Sequence, residues 1–122
     1  MKGNTMIKTD QWLPIGSVVH LKDQPSLAFV AGCMQVDAED GRLWDYLGYP
    51  YPLGNYGETA GMVFDKDSID CVYFVGYQDV DGLRYQDLLD GMNAEFVAKK
   101  AEAAAAAEET AAGEQAATGR LA

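Results

Sequence analysis

The residues that could do chemistry in this chain are few and widely spaced. The one histidine, His20, sits between Val19 and Leu21, and the two cysteines, Cys33 and Cys71, stand far apart with no second Cys or His nearby. Thiol catalysis needs a base held against the sulfur, and zinc needs Cys and His ligands at short spacings. Neither pattern is present. No Gly-x-Ser-x-Gly elbow, phosphate-cradling glycine loop or His-Glu-x-x-His pair occurs either. Both cysteines fall in apolar runs and read as reduced, buried and inert thiols.

The aspartates are the more tempting candidates. "DKDSID" begins at Asp65 and "DVDG" at Asp79, and both invite a calcium loop. Counted from Asp65, position six is Asp70 where glycine belongs, and position twelve is Gly76 where a bidentate glutamate belongs. Counted from Asp79, the same positions hold Arg84 and Asp90. Both fail the calcium-loop pattern. Aspartate tolerates turn geometry and bonds nearby backbone, which explains these residues without a metal. No cofactor, metal or catalytic residue is expected, and the chain reads as a non-enzyme.

Charge narrows the partners. The formal net charge is −10, and residues 1–98 carry fifteen acidic and six basic side chains. A field of that sign repels phosphate backbones and anionic headgroups. Neither nucleic acid nor a membrane is expected as a partner. The N-terminal stretch has no apolar core of the length a secretory signal needs, and no apolar run approaches the ~20 residues of a spanning helix. A cytoplasmic protein is the expectation.

The elements that must position any site follow from periodicity. Residues 1–12 are polar and read as a flexible arm. The β-rich domain spans 13–98. Strands are expected at Val18–Leu21, in "LAFVAGCMQV" (27–36), in "LWDYLGY" (43–49), in "MVF" (62–64) and in Val72–Tyr77. An Asp-Gly step at 40–41 between two apolar runs is the clearest hairpin signal, and Gly32 inside a strand marks a bulge or bend. Tyr85, Leu88, Leu89, Met92 and Phe96 then recur at helical spacing, so a docked helix is expected from about residue 83. Residues 99–122 are alanine-rich and of low complexity; they read as a helical or disordered tail, with helix to about Ala112 and Gly113 as its stop. The fold class is α+β: a small bent β-sheet or barrel of about five strands followed by a long C-terminal helix.

One segment stands out for recognition. "WDYLGYPYPLGNYGE" (44–58) packs five aromatics among prolines and glycines. Trp44, Tyr46 and Leu47 fall in a strand, where alternation should bury some of them. Tyr49, Tyr51 and Tyr56 fall in the Pro/Gly loop expected from Tyr49 to Gly61. Tyrosines there suit a partner-binding surface, because each offers a large ring and a polar tip. The alternative, that the three cap the core, is equally open to the sequence.

Three ordered segments, "LPIGSVVHLK" (13–22), "DYLGYPYPLGNYG" (45–57) and "FDKDSIDCVYFVGYQD" (64–79), resemble a domain-of-unknown-function family of small Gram-positive bacterial proteins. Its members are encoded beside LXG toxins and type VII secretion genes. The resemblance implies a non-enzymatic adaptor, a chaperone or targeting factor for an LXG-type toxin. Its partner would be the toxin's N-terminal region or that region's small helical partners. An immunity protein that neutralises a cognate toxin is the alternative, and a small enzyme a more distant one. "YQDVD" (77–81) also matches the loose Tyr-x-x-x-Asp pattern of type VII signals, but two fixed positions in five recur by chance.

Overall fold

The computed structural model describes residues 11–57 and 61–121, with side chains as far as Glu109. Five strands form one open antiparallel sheet: β1 (Val18–Leu21), β2 (Leu27–Val36), β3 (Leu43–Tyr51), β4 (Met62–Phe64) and β5 (Ile69–Phe74). Their spatial order is β4-β3-β2-β1-β5, so β4 and β5 are edges and the sheet does not close into a barrel. A single long helix, α1 (Val80–Leu121), follows. The α+β reading of the sequence therefore holds, with the bent-sheet form of it realised.

Local chemistry accounts for the connections. The β2–β3 hairpin is closed by Asp37 N–H donating to Arg42 C=O at 2.8 Å, with Gly41 at φ +76° supplying the left-handed step. Asp37 and Asp40 side chains accept the N–H groups of Glu39 and Arg42, each at 2.9 Å. The β2–β3 register shifts between Val30 and Gly32, the bulge that a mid-strand glycine announces. Strand β3 runs two residues further than the apolar run suggested, because Tyr49, Pro50 and Tyr51 pair with Phe29, Ala28 and Leu27. Pro50 lies beyond the end of β4, which pairs only with Tyr46–Gly48, so β3 has a single neighbour there. That is where a strand can hold a residue with no N–H. Gly48 is required by space: a Cβ would sit 2.6 Å from Phe29 O and 2.8 Å from the Phe64 ring.

Only one face of the sheet is covered. Val19, Ala28, Val30, Tyr46, Phe64, Ile69 and Val72 are buried there together with Leu89 and Phe96 of α1. Trp12 fills the space between sheet and helix. Its ring meets Tyr46 edge-on at 5.4 Å and Phe96 at 5.8 Å, and the Lys66 ammonium lies 3.7 Å over its centroid. Its indole N–H donates to Asn93 Oδ1 at 3.1 Å, and its C=O accepts from Gln86 Nε2 at 2.9 Å. Trp12 is thus part of the folded unit and not of a loose arm; residues 1–10 of the expected arm lie outside the described residues. An arm reading missed it because Trp12 and Leu13, cut off by Pro14, make too short an apolar run to show a period.

The helix docks differently from the apolar pattern. It begins at Val80, where Asp79 Oδ1 accepts Gly82 N–H at 2.9 Å as an N-cap. Its seam runs through Gln86, Leu89, Asn93, Phe96 and Lys100, alternate three- and four-residue steps along one narrow stripe. Of the five residues expected to dock, only Leu89 and Phe96 do; Tyr85, Leu88 and Met92 remain exposed. The polar seam positions are bonded instead, Lys100 Nζ donating to the carboxylates of Asp45 and Asp65. Asp45 also accepts Lys66 N–H at 2.8 Å, and Asp65 accepts Asp45 N–H at 3.1 Å. Burial works against the Lys100 ammonium, but its bonds to Asp65 and Asp45 outweigh this and hold its pKa above the ordinary value. Counting apolar residues cannot find an anchor made of charge. The helix also runs through Gly113 to Leu121, the ~1 kcal/mol penalty of a glycine being small among alanines.

Two outcomes follow. Trp12→Ala should lower unfolding free energy by about 3–5 kcal/mol in urea denaturation, since it deletes the largest side chain between the two layers. Lys100→Ala leaves two carboxylates facing each other in a partly buried site, and should cost about 1–3 kcal/mol. An unchanged urea midpoint for that variant would mean that α1 is held without the Lys100 anchor, by its apolar contacts and the Gln86 and Asn93 bonds to Trp12.

Candidate functional site

Register decides what lies on the uncovered face. Residues directly opposite each other in an antiparallel sheet share a face, and Val19, Ala28 and Val72 point to the core. Their neighbours along each strand therefore point away. Val18, Phe29 and Tyr49 form one cross-strand row, and His20, Leu27 and Tyr51 form the next. Here the sheet presents an open groove of about 710 Å3, its floor made by Val18, Leu27 and Phe29. Tyr51 and Pro52 wall one side, and Tyr73 and Phe74 of β5 wall the other. Tyr73 and Phe74 are 58% and 60% exposed, an unusual state for two adjacent aromatics at a strand end.

The three tyrosines singled out from the sequence separate. Tyr51 ends β3, is half exposed and lines the groove. Tyr49 is a strand residue and not a loop residue; it lies against Phe29, ring centroids 6.0 Å apart, and is partly buried. Tyr56 is exposed on the loop beyond the cis Tyr51–Pro52 bond and does not line the groove. The aromatic that the core does bury is Tyr46, which is fully inaccessible. Its hydroxyl accepts Leu13 N–H at 2.8 Å and donates to Gln11 C=O at 3.3 Å. Burial drives its pKa well above the ordinary tyrosine value, the Leu13 N–H only partly opposing this.

Sequence reasoning missed Tyr73 and Phe74 and the floor beneath them, although a signal was available. A sheet with one solvated face alternates apolar and polar residues. "LAFV" at the start of β2 and "CVYF" in β5 are apolar at every position. Such strands want cover on both faces, and among the described residues one long helix covers one of them.

Beside the groove, sharing Tyr73 as a wall, is a shallower hollow lined by His20, Asp70 and Cys71. His20 Nδ1 lies 2.8 Å from Asp70 Oδ1, and its Nε2 lies 2.8 Å from Gln24 C=O. Both ring nitrogens face acceptors, so the doubly protonated ring suits the site. This makes His20 a clasp between the β1–β2 turn and β5, with neither nitrogen left to act as a base. Cys33 is buried, and that burial pushes its thiol up to about 11. Of the aspartates considered for calcium, Asp65 belongs to the Lys100 anchor, Asp70 to the His20 clasp and Asp79 to the helix cap. Among the described residues no cluster of three or more His, Cys, Asp or Glu has metal-binding proximity, and no helix is long and apolar enough to cross a membrane.

A family described as Domain of unknown function (DUF4176) matches residues 12–84. The chain belongs to this family. The match starts at Trp12, the wedge residue, and ends in the first turns of α1, so it takes in the whole sheet and every residue of the groove. No curated protein and no solved structure matches the chain.

The His20 clasp makes a measurable prediction. The hydrogen bond that His20 donates to the Asp70 carboxylate, with a smaller contribution from the Gln24 carbonyl, outweighs desolvation and raises the imidazole pKa above its ordinary 6.5. A raised folded pKa means that the clasp's stabilisation is complete below about pH 6.5 and is lost as pH rises through the folded value. NMR titration of the His20 ring should give a midpoint above 6.5, and Asp70→Asn should lower that midpoint. An unshifted midpoint in the variant would show that the carboxylate does not hold the ring.

Proposed function

We propose that this protein is a non-enzymatic protein-binding adaptor: a cytoplasmic chaperone or targeting factor for an LXG-type toxin exported by type VII secretion. The observation that carries the protein-binding part is the uncovered aromatic groove. Its floor and walls are apolar and lie on the sheet face that α1 does not reach. Large aromatics on an open concave surface are the usual anchors of a protein interface. The toxin and the secretion pathway come from the resemblance of the three sequence segments to proteins encoded beside such genes. The net charge of −10 supports a partner that is not itself strongly acidic.

The competing reading is an immunity protein, which would bind the toxin's enzymatic half. Capture of separately expressed toxin halves distinguishes the two. The adaptor should retain the N-terminal export half, whereas an immunity protein should retain the C-terminal half. Replacing Tyr51, Tyr73 and Phe74 together by serine should weaken that capture by about 2 kcal/mol or more, roughly thirtyfold, while circular dichroism stays that of the folded protein. All three are exposed, so their loss opens no cavity in the core. Undiminished capture by the folded triple variant would remove the groove from the function.

A further inference from the structure

Resting on the adaptor reading, we propose that the partner enters as a strand. An extended segment of alternating apolar residues, with Lys or Arg at both ends, adds to the outer edge of β5.

The two edges of the sheet are not alike. Proteins protect sheet edges by making them short, by placing lysine or proline on them, or by covering them. Edge strand β4 has three residues and is blunt by length alone. Edge strand β5 has six and ends in exposed aromatics, Tyr73 and Phe74, followed by exposed Val75; at Gly76 the chain turns inward, its N–H bonded to the Ser17 hydroxyl at 2.9 Å. No proline, lysine or arginine occurs from Asp67 to Leu83. An apolar edge of that length without protection is a template for strand addition.

Charge selects the chemistry of the added strand. The same stretch carries Asp67 and Asp70 before the aromatics and Asp79 and Asp81 after them, all four exposed. When protonated, His20 offsets Asp70 in part. Of the nearest cations in sequence, Lys66 holds its ammonium over the Trp12 ring on the covered side, and Arg84 lies within α1. In the chain these aspartates flank the β5 aromatics on both sides, so basic ends on a paired segment are attracted and acidic ends repelled. A second copy of this chain fits poorly, because pairing two β5 edges would bring the aspartates of both copies together. A helix fits the edge poorly as well, since its backbone groups are already bonded to one another. In a strand, alternate side chains share a face. One set would therefore extend the apolar row of Phe29, Val18 and Phe74 and widen the groove.

The test uses the full chain, labelled with 15N, and a synthetic probe of sequence Lys-Lys-Val-Thr-Val-Tyr-Val-Thr-Lys-Lys. Binding should shift the amides of Asp70–Phe74 and slow their hydrogen exchange, with cross-strand contacts from the probe to β5. N-methylation of alternate probe residues on the pairing edge should weaken binding at least ~tenfold, because it removes several backbone hydrogen bonds. Replacing the terminal lysines by glutamate should weaken it by a similar factor. Shifts confined to Val18, Phe29 and Tyr51, with an N-methylated probe that binds equally well, would overturn strand addition. Dimerisation through β5, or no binding of the probe while the toxin half is still captured, would overturn it too and leave the adaptor reading standing. Failure of capture itself would remove the adaptor reading.

Discussion

Everything in this molecule is arranged around Trp12 lying between Tyr46 and Phe96. The sheet and a helix with only two large apolar residues on its seam, Leu89 and Phe96, leave a gap between them. The indole fills the gap, contacting both rings edge to face. Its polar N–H and C=O are used up on Asn93 and Gln86 of the helix. Tyr46 then holds the chain entering Trp12 through its hydroxyl, bonded on both sides to the backbone of Gln11 and Leu13. The Leu13–Tyr46 bond is buried and the others are partly buried, so these polar atoms gain from being matched by a partner. They are matched, and the segment before β1 becomes a structural layer between sheet and helix.

That wedge determines how the helix is used. Because Trp12 supplies much of the apolar volume, the helical seam can be narrow and half polar. Gln86, Asn93 and Lys100 make specific bonds where a plain helix-on-sheet packing would place leucines. The Lys100–Asp45–Asp65 cluster adds an anchor beyond Phe96, the last large apolar residue of the seam, and burial on the helix recurs at Ala107. A stripe of this kind specifies the angle and register of docking more than it adds to stability, since part-buried ion pairs are weak net contributors. It also leaves Tyr85, Leu88 and Met92 outside the contact.

The same constraint leaves the second sheet face bare. Among the described residues one helix covers one face, and the other carries Val18, Leu27, Phe29 and Phe74 of β1, β2 and β5 beside the His20–Asp70 pair. The result is an aromatic groove opening beside an unprotected edge strand, within an otherwise acidic surface. In the adaptor proposal these are a single surface, with the groove supplying apolar contact and the edge supplying backbone direction. The membership in a family matched from Trp12 to Arg84 covers this whole unit and little of the long helix beyond it.

Much of the fold was legible in the residues. "LAFVAGCMQV" and "MVF" coincide with β2 and β4, the Asp-Gly step is the β2–β3 turn, and Gly32 marks the bulge. The apolar period places the helix from about residue 83, three residues after its start at Val80. These are local effects: β-branching and turn geometry act within a few residues and are written in the order of the chain. What the chain order could not say is which face each strand residue takes and what arrives to cover it. Trp12 is buried by residues 34 and 84 positions away, Lys100 finds carboxylates 55 and 35 positions back, and Tyr51 comes to face Tyr73 and Phe74 only because β1 and β2 lie between their strands. Each of these depends on distant segments meeting in space, where volume and charge must be matched together, and only the tertiary structure decides that.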